Sequence, residues 1–285
     1  MRLAKYRLPS GQEAVGQLDD DRLLPLDLSG GQHNSLFDIL EDENPLEVAD
    51  FLVNRHKAIP VTSVQLLAPV DRQEVWAAGV TYQRSQTARM EESPTAADHY
   101  ERVYKAARPE LFFKATPHRV AAPGQPLRIR ADSKWTVPEP EITLVLNSRL
   151  ALAGFTIGND MSARDIEGEN PLYLPQAKIY DACCALGPCV TLAAVMPPRE
   201  TIHIYLRVRR GDADVFQGRT TAGHMARTFG ELIGWLERDD SFPQGVFLMT
   251  GTGIVPDNSF ALQAGDLIEI VIDGIGKLVN PVIQG

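Results

Sequence analysis

Pro138-Glu139-Pro140-Glu141-Ile142-Thr143-Leu144-Val145-Leu146 and, a turn later, Ala153-Gly154-Phe155-Thr156-Ile157-Gly158-Asn159-Asp160 are the stretches that decide the fold. From Glu141 onward the first is β-branched or apolar, which predicts a buried strand and not a helix. The second reads as its neighbour, paired through a turn near Asn147-Ser148-Arg149. Side chains two apart on a strand share a face, about 6.5–7 Å from each other. Glu139 and Glu141 therefore converge on one side of the sheet, and Asp160 stands at the end of the adjacent strand. Like charges this close repel unless a proton or a cation lies between them. Three carboxylates with water in the remaining positions suit Mg²⁺ or Mn²⁺ better than Zn²⁺. The plainer alternative makes the glutamates edge-strand charges and Asp160 a cap on the turn into Met161-Ser162-Ala163-Arg164-Asp165.

Around this pair the chain is rich in strands. Residues 1–65 read as a small α+β unit packed on the main body: two short alternating strands around Pro9-Ser10-Gly11, then helices over 35–40 and 46–55. A different texture begins at Leu66-Leu67-Ala68-Pro69-Val70, so the domains are expected at 1–65 and 66–285. Val75-Trp76-Ala77-Ala78-Gly79-Val80-Thr81-Tyr82 predicts an apolar strand ending near Gly79, and the polar stretch 83–97 after it has the length of a lid. Tyr100, Val103, Tyr104 and Ala107 share a helical face. Glu110-Leu111-Phe112-Phe113-Lys114-Ala115 returns to strand and puts Glu110 and Lys114 on one side. Residues 164–178 are irregular but densely charged. Strands are expected again from Gly187, over 202–209, over 245–250 and around Ile268, Ile270 and Ile272, with a helix over 225–236 between them. Strands without regular strand–helix alternation argue for a mixed, β-rich α+β architecture and against a doubly wound sheet.

Composition narrows the function. The 285 residues can bury a sizeable core, and a net charge of −9 argues against a nucleic-acid partner. Cys183, Cys184 and Cys189 match neither a zinc spacing nor a disulfide framework and read as small buried hydrophobes in a reducing cytoplasm. No leader pattern or membrane-length apolar run is apparent, so the expectation is a cytoplasmic protein. There is no nucleophile elbow, zinc-binding His-Glu-x-x-His or Walker lysine loop. Thr250-Gly251-Thr252-Gly253 lacks the third glycine and following helix of a dinucleotide site. It reads equally as a strand-end turn or as a place where backbone N–H groups approach a carboxylate. Of the six histidines, only His99, in the expected lid, draws attention.

Glu139-x-Glu141, Gly158-Asn159-Asp160-Met161-Ser162-Ala163-Arg164-Asp165, Lys178 and Thr250-Gly251-Thr252-Gly253 together resemble the fumarylacetoacetate hydrolase family from about residue 70 to the end. The resemblance implies a mixed β-sandwich roll with a small N-terminal domain, a homodimer, and Mg²⁺ held by Glu139, Glu141 and Asp160, with Mn²⁺ or Ca²⁺ as substitutes. It implies that Arg164 and Lys178 belong to the pocket of a small 2-keto acid and that Thr252 holds that acid's carboxylate. Arg108-Pro109-Glu110-Leu111-Phe112-Phe113-Lys114-Ala115-Thr116-Pro117 and Glu169-Asn170-Pro171-Leu172-Tyr173-Leu174-Pro175-Gln176-Ala177-Lys178-Ile179-Tyr180 are similar to the family's 2-keto-3-deoxy sugar acid dehydratases, which form 2,5-dioxopentanoate. Hydrolases of the family usually carry a histidine three residues after the tyrosine that matches Tyr82. Ser85 stands there instead, which argues against C–C hydrolysis and leaves a proton-transfer elimination open.

Within that expectation Lys178 is the candidate base at C3, with an electrostatic clamp as its alternative. Glu110 or Glu167 is the candidate acid, against ion pairing with Arg164 or Lys114. Arg164 alternatively holds the turn at Asp165. Tyr82, Ser85, Lys114 and Thr252 are grouped on the substrate side, with packing the commoner role for Tyr82. Three functions stay in play: a sugar-acid dehydratase, a hydrolase or decarboxylase of acylpyruvate-type acids using His99, and a binding protein that keeps the metal without turnover.

Overall fold

In the computed structural model, which describes residues 1–83 and 103–285, Pro140–Leu146 and Leu152–Asp160 form an antiparallel pair with Glu141 opposite Gly158 and Ile142 opposite Ile157. Every residue of Pro140–Leu146 is buried. Enclosure on both faces explains why this strand shows a continuous apolar run instead of alternation. Its other edge pairs antiparallel with Val246–Met249, which runs parallel to Glu74–Gly79. Glu110–Ala115 closes that side of the sheet against Glu74–Gly79.

On the opposite side, Leu152–Asp160 pairs with Cys184–Leu192. That strand begins before Gly187, and Gly187 and Pro188 sit within it. Arg2–Arg7 pairs with it in turn, and the following N-terminal strands continue one twelve-stranded sheet. The first helix, Leu36–Leu40, opens with a reciprocal Ser35–Asp38 capping box. The second, Pro45–Leu52, stops short of residue 55 because Val53 turns extended and bridges Leu26.

The second sheet has five strands, among them His203–Arg210, Leu267–Ile272 and Gly276–Gln284. Here the period of two is clean. Ile204, Leu206, Val208, Ile268, Ile270 and Ile272 point inward, with His203, Tyr205 and Glu269 between them on the outer face. One hydrophobic core unites Ile142 and Leu144 of the first sheet with Ile204 and Ile270 of the second. Each such buried side chain contributes about 1.5–3 kcal/mol. The two sheets are thereby held face to face, in the expected β-rich sandwich.

A further helix boundary moves for a local reason. The helix expected over 225–236 is Phe229–Leu236, because the Thr228 side chain accepts from the Glu231 N–H and caps it there. Met225, left outside, bridges Tyr82. The strand from Glu74 ends at Gly79, where the sequence places its end, and Val80 takes a left-handed φ of 52°. Most of the expected 83–97 lid, with Ser85 and His99, lies outside the described residues. Among the described residues no helix is long and apolar enough to cross a membrane.

Candidate active site

The register brings the carboxylates together. The Asp160 N–H donates to the Glu139 carbonyl at 2.9 Å, so the two residues face each other across the strand pair, with Glu141 two positions along. The Asn159 side-chain oxygen accepts from the Glu139 N–H at 3.2 Å and fixes the entry to the strand. Carboxylate oxygens of Glu139, Glu141 and Asp160 lie within 4.8 Å of one another, the single group of this kind among the described residues. All three residues are buried. Burial first, and then the charges of Asp160 and Glu139, hold the Glu141 carboxyl well above its ordinary range.

Gly251 completes that corner. Its N–H donates to Glu141 Oε2 at 2.6 Å. It does so at φ 91°, a left-handed conformation that an L side chain rarely adopts. The Thr-Gly-Thr-Gly turn thus delivers a backbone N–H to one of the protein's own carboxylates.

Three cations reach the cluster from separate segments. Lys178, at the end of the short helix Leu174–Lys178, donates to Glu139 Oε2 at 2.8 Å, Asp160 Oδ2 at 2.8 Å and Ser162 Oγ at 2.5 Å. The Ser162 hydroxyl donates in turn to the Asp160 carbonyl at 3.1 Å. Arg164 forms an ion pair with Glu139 Oε1. Asp165 meanwhile accepts from the Ser133 hydroxyl at 2.7 Å and the Lys134 N–H at 2.6 Å, which pins the turn before the Arg164–Glu169 helix.

Lys114, expected on the substrate side, sits behind the cluster with 0% of its side chain exposed. It pairs with Asp160 Oδ1 at 2.6 Å and donates to the Met161 and Lys178 carbonyls at 3.0 and 2.5 Å. Burial alone would lower its pKa, but Asp160 and the thiols of Cys183 and Cys184 hold the ammonium above its usual value. This lysine joins one carboxylate to the end of the helix that carries Lys178.

Glu110, Glu167, Lys178 and Thr252 line one cleft with the three carboxylates. Its volume of about 20 Å³ is room for a single ion or water. Two of the clustered carboxylates, Glu139 and Asp160, pair with Lys114, Lys178 and Arg164. The oxygen donors fit a hard ion. A roomier cavity of about 480 Å³ lies on the outer face of the five-stranded sheet, lined by Tyr205, Gln217 and Glu269 among others, and holds no such cluster. Size does not locate the chemistry here.

Tyr82 is buried and borders an adjoining cavity instead of the cleft. The Thr252 hydroxyl is engaged with the Ile254 backbone at 3.2 Å while the residue lines the cleft. Ser85 is outside the described residues. Ser162 was not singled out from sequence as a site residue, although its place two residues after Asp160 puts both on one face of an extended segment. Nothing local in the sequence announces Asn159 as the residue that orients Glu139.

The fumarylacetoacetate hydrolase C-terminal family profile matches residues 74–283. A probable 2-keto-3-deoxyxylonate dehydratase of Haloferax volcanii is 45% identical over 235 residues, covering 82% of this chain and 78% of that protein. A 2-dehydro-3-deoxy-D-arabinonate dehydratase of Saccharolobus solfataricus is 41% identical over 229 residues, covering 79% and 77%. The solved structure of a 2-keto-3-deoxy-D-arabinonate dehydratase complexed with magnesium and 2,5-dioxopentanoate aligns with a TM-score of 0.88 at 34% identity, covering 100% of this chain and 99% of that one. With the carboxylate cluster and its lysines standing inside the matched segment, the chain belongs to the fumarylacetoacetate hydrolase family.

Proposed function

We propose that this chain is a magnesium-dependent hydro-lyase that converts a 2-keto-3-deoxy pentonate to 2,5-dioxopentanoate and water. The observation that carries the reading is the buried trio Glu139, Glu141 and Asp160 with the Lys178 ammonium bonded between two of its members. Identities of 45% and 41% to proteins named as dehydratases of such acids support it.

Glu139, Glu141 and Asp160 would hold the ion, and Mn²⁺ or Ca²⁺ would suit the same oxygen donors. Bound magnesium supplies positive charge beside a 2-oxo acid and so acidifies the hydrogens at C3. Lys178, aimed by Ser162 and by the Lys114 bond to its carbonyl, is the base assigned to the C3 proton and acts in its neutral amine form, after giving up the ammonium proton. Glu110 or Glu167, both lining the cleft, gives a proton to the C4 hydroxyl, which leaves as water. A C3=C4 bond forms; a C5 hydrogen is then lost as a proton and C3 gains one, leaving a C4=C5 enol, which gains a proton at C4 and gives up its hydroxyl proton as C5 becomes the aldehyde. Arg164 fixes Glu139, Lys114 fixes Asp160 from behind, and Thr252 holds the acid's carboxylate. Tyr82 and Ser85 complete the substrate side. The folding division at residue 65 and a cytoplasmic homodimer complete the reading, and three buried free thiols suit a reducing compartment.

Incubation with Mg²⁺ and each pentonate isomer, with product identified by NMR, tests this. 2,5-Dioxopentanoate sustains it. Pyruvate with a second fragment replaces it by a hydrolase, and binding without product replaces it by a binding protein. Sedimentation equilibrium reads the dimer.

A further inference from the structure

One residue beyond Thr252, the same turn opens on a second cavity. It measures about 350 Å³ and is lined by Tyr82, Gln83, Tyr104, Thr220, His224 and Gly253. Thr252 lines the carboxylate cleft and Gly253 lines this cavity, so consecutive residues of one turn border both spaces. Tyr82 joins them electrostatically, being a wall of the second cavity within reach of the Glu141 charge.

The wall is closely built. A Cβ on Gly253 would stand 2.5 Å from Tyr82 Cδ1 and 2.9 Å from Thr220 Oγ1. Bare backbone at that point lets the phenol ring and the threonine hydroxyl close on the turn. His224 reaches the rim from the Ala222–His224 turn, which is capped by the Thr221 hydroxyl accepting from the Gly223 N–H at 3.2 Å. The Ala226 N–H donates to the Thr81 carbonyl at 2.9 Å and ties this turn to the segment carrying Tyr82.

The chemistry of the two spaces differs. Carboxylates and a lysine line the cleft, whereas among the described residues the second cavity presents two phenols, an amide, a hydroxyl and an imidazole. Such groups both donate and accept hydrogen bonds, which is what a chain of hydroxyls requires. We infer that this cavity receives the hydroxylated tail of the sugar acid, with Thr220 and His224 hydrogen-bonding its hydroxyls, while the 2-oxo acid head is held at the carboxylate cluster. The inference rests on the function proposed above for that cluster.

The test uses the full chain with Mg²⁺ and two ligands, a 2-keto-3-deoxy pentonate and 2-oxobutanoate, which has the head without hydroxyls. Calorimetry gives the preference of the wild type, Thr220→Val, His224→Phe and Thr220→Ser for the first ligand over the second. Metal-induced rise in melting temperature certifies the cluster in each variant. The expected result is a wild-type preference that Thr220→Val and His224→Phe each lower by about tenfold, one hydrogen bond's worth, and that Thr220→Ser retains. A preference unchanged in both variants, or a wild type with none, overturns the inference. A wild type that prefers the pentonate through these residues yet yields no 2,5-dioxopentanoate upholds the tail site and sinks the dehydration. Product formed with the preference untouched in both variants sinks the tail site alone.

Discussion

Two parts of this molecule bury carboxylates, and they are built on opposite principles. Asp266, beside the five-stranded sheet, is fully buried and receives Arg210 Nε and Nη2 at 2.8 Å each, with the Gln263 N–H at 2.8 Å. One acid meets one planar fork, a bidentate arrangement that settles its charge locally. Glu141, at the mouth of the large sheet, has other carboxylates as its neighbours. The Gly251 N–H touches it, but Asp160 and Glu139 push its proton affinity up. A buried carboxylate by itself is a structural feature; buried carboxylates crowded together store repulsion that a ligand can relieve.

The sharpest way to break this contrast is substitution at the crowded site. Glu141→Gln should lower turnover by roughly 10³-fold or more while raising the melting temperature of the metal-free protein, because it removes an unfavourable buried charge. Thermal melts with and without Mg²⁺ would check both, and a stability loss with turnover kept would dissolve the distinction. Lys178→Ala should cost about 10²–10⁴-fold in turnover, the range for a proton-transfer group. Exchange of the C3 proton into D₂O, followed by NMR, should fall with it; wild-type exchange would leave Lys178 a clamp.

Asp266→Ala should act in the reverse sense. Stability should drop by about 1–3 kcal/mol, since the Gln263 N–H and the Arg210 fork lose their acceptor, while turnover per folded molecule holds. Urea denaturation paired with active-site titration reads both. The pH response sharpens the contrast further. Because the Glu141 pKa is raised, its protonated form favours the metal-free fold below the ordinary carboxylate range, and that contribution disappears as pH climbs through the elevated value. Metal must displace the same proton, so the Mg²⁺-induced rise in melting temperature should grow as pH climbs from the ordinary carboxylate range through the raised Glu141 value. Gln217→Ala, in the roomy cavity on the outer sheet face, should change stability by no more than about 0.5 kcal/mol and leave turnover alone.

The sequence was most informative where periodicity and charge conflict. Ile142 to Leu146 demanded a buried strand, and acids at its mouth could not be solvated there without cause, so the pair Glu139 and Glu141 was legible at once. Asp160 followed from the next strand. What stayed hidden depended on long-range placement. Lys114 shares a face with Glu110 along its strand, yet lies under Asp160, because the packing of Met161 and the Lys178 helix end over that strand is set by other parts of the chain. Gly251 likewise reads as a turn residue, and its partner lies 110 positions away. Boundaries slipped where caps outrank periodicity, as at Thr228, and where a glycine and a proline lie inside a strand, as at Gly187 and Pro188.

The placement of Val246–Met249 between Pro140–Leu146 and Glu74–Gly79 bears on how the protein is made. During synthesis at about 5–20 residues per second, the acidic hairpin leaves the ribosome several seconds before the strand that walls it and the turn that supplies Gly251. Through that interval the three acids have no finished enclosure. Assembly of the centre is therefore a late event in the life of the nascent chain, and truncations that spare every acid but stop before residue 251 would leave it unbuilt.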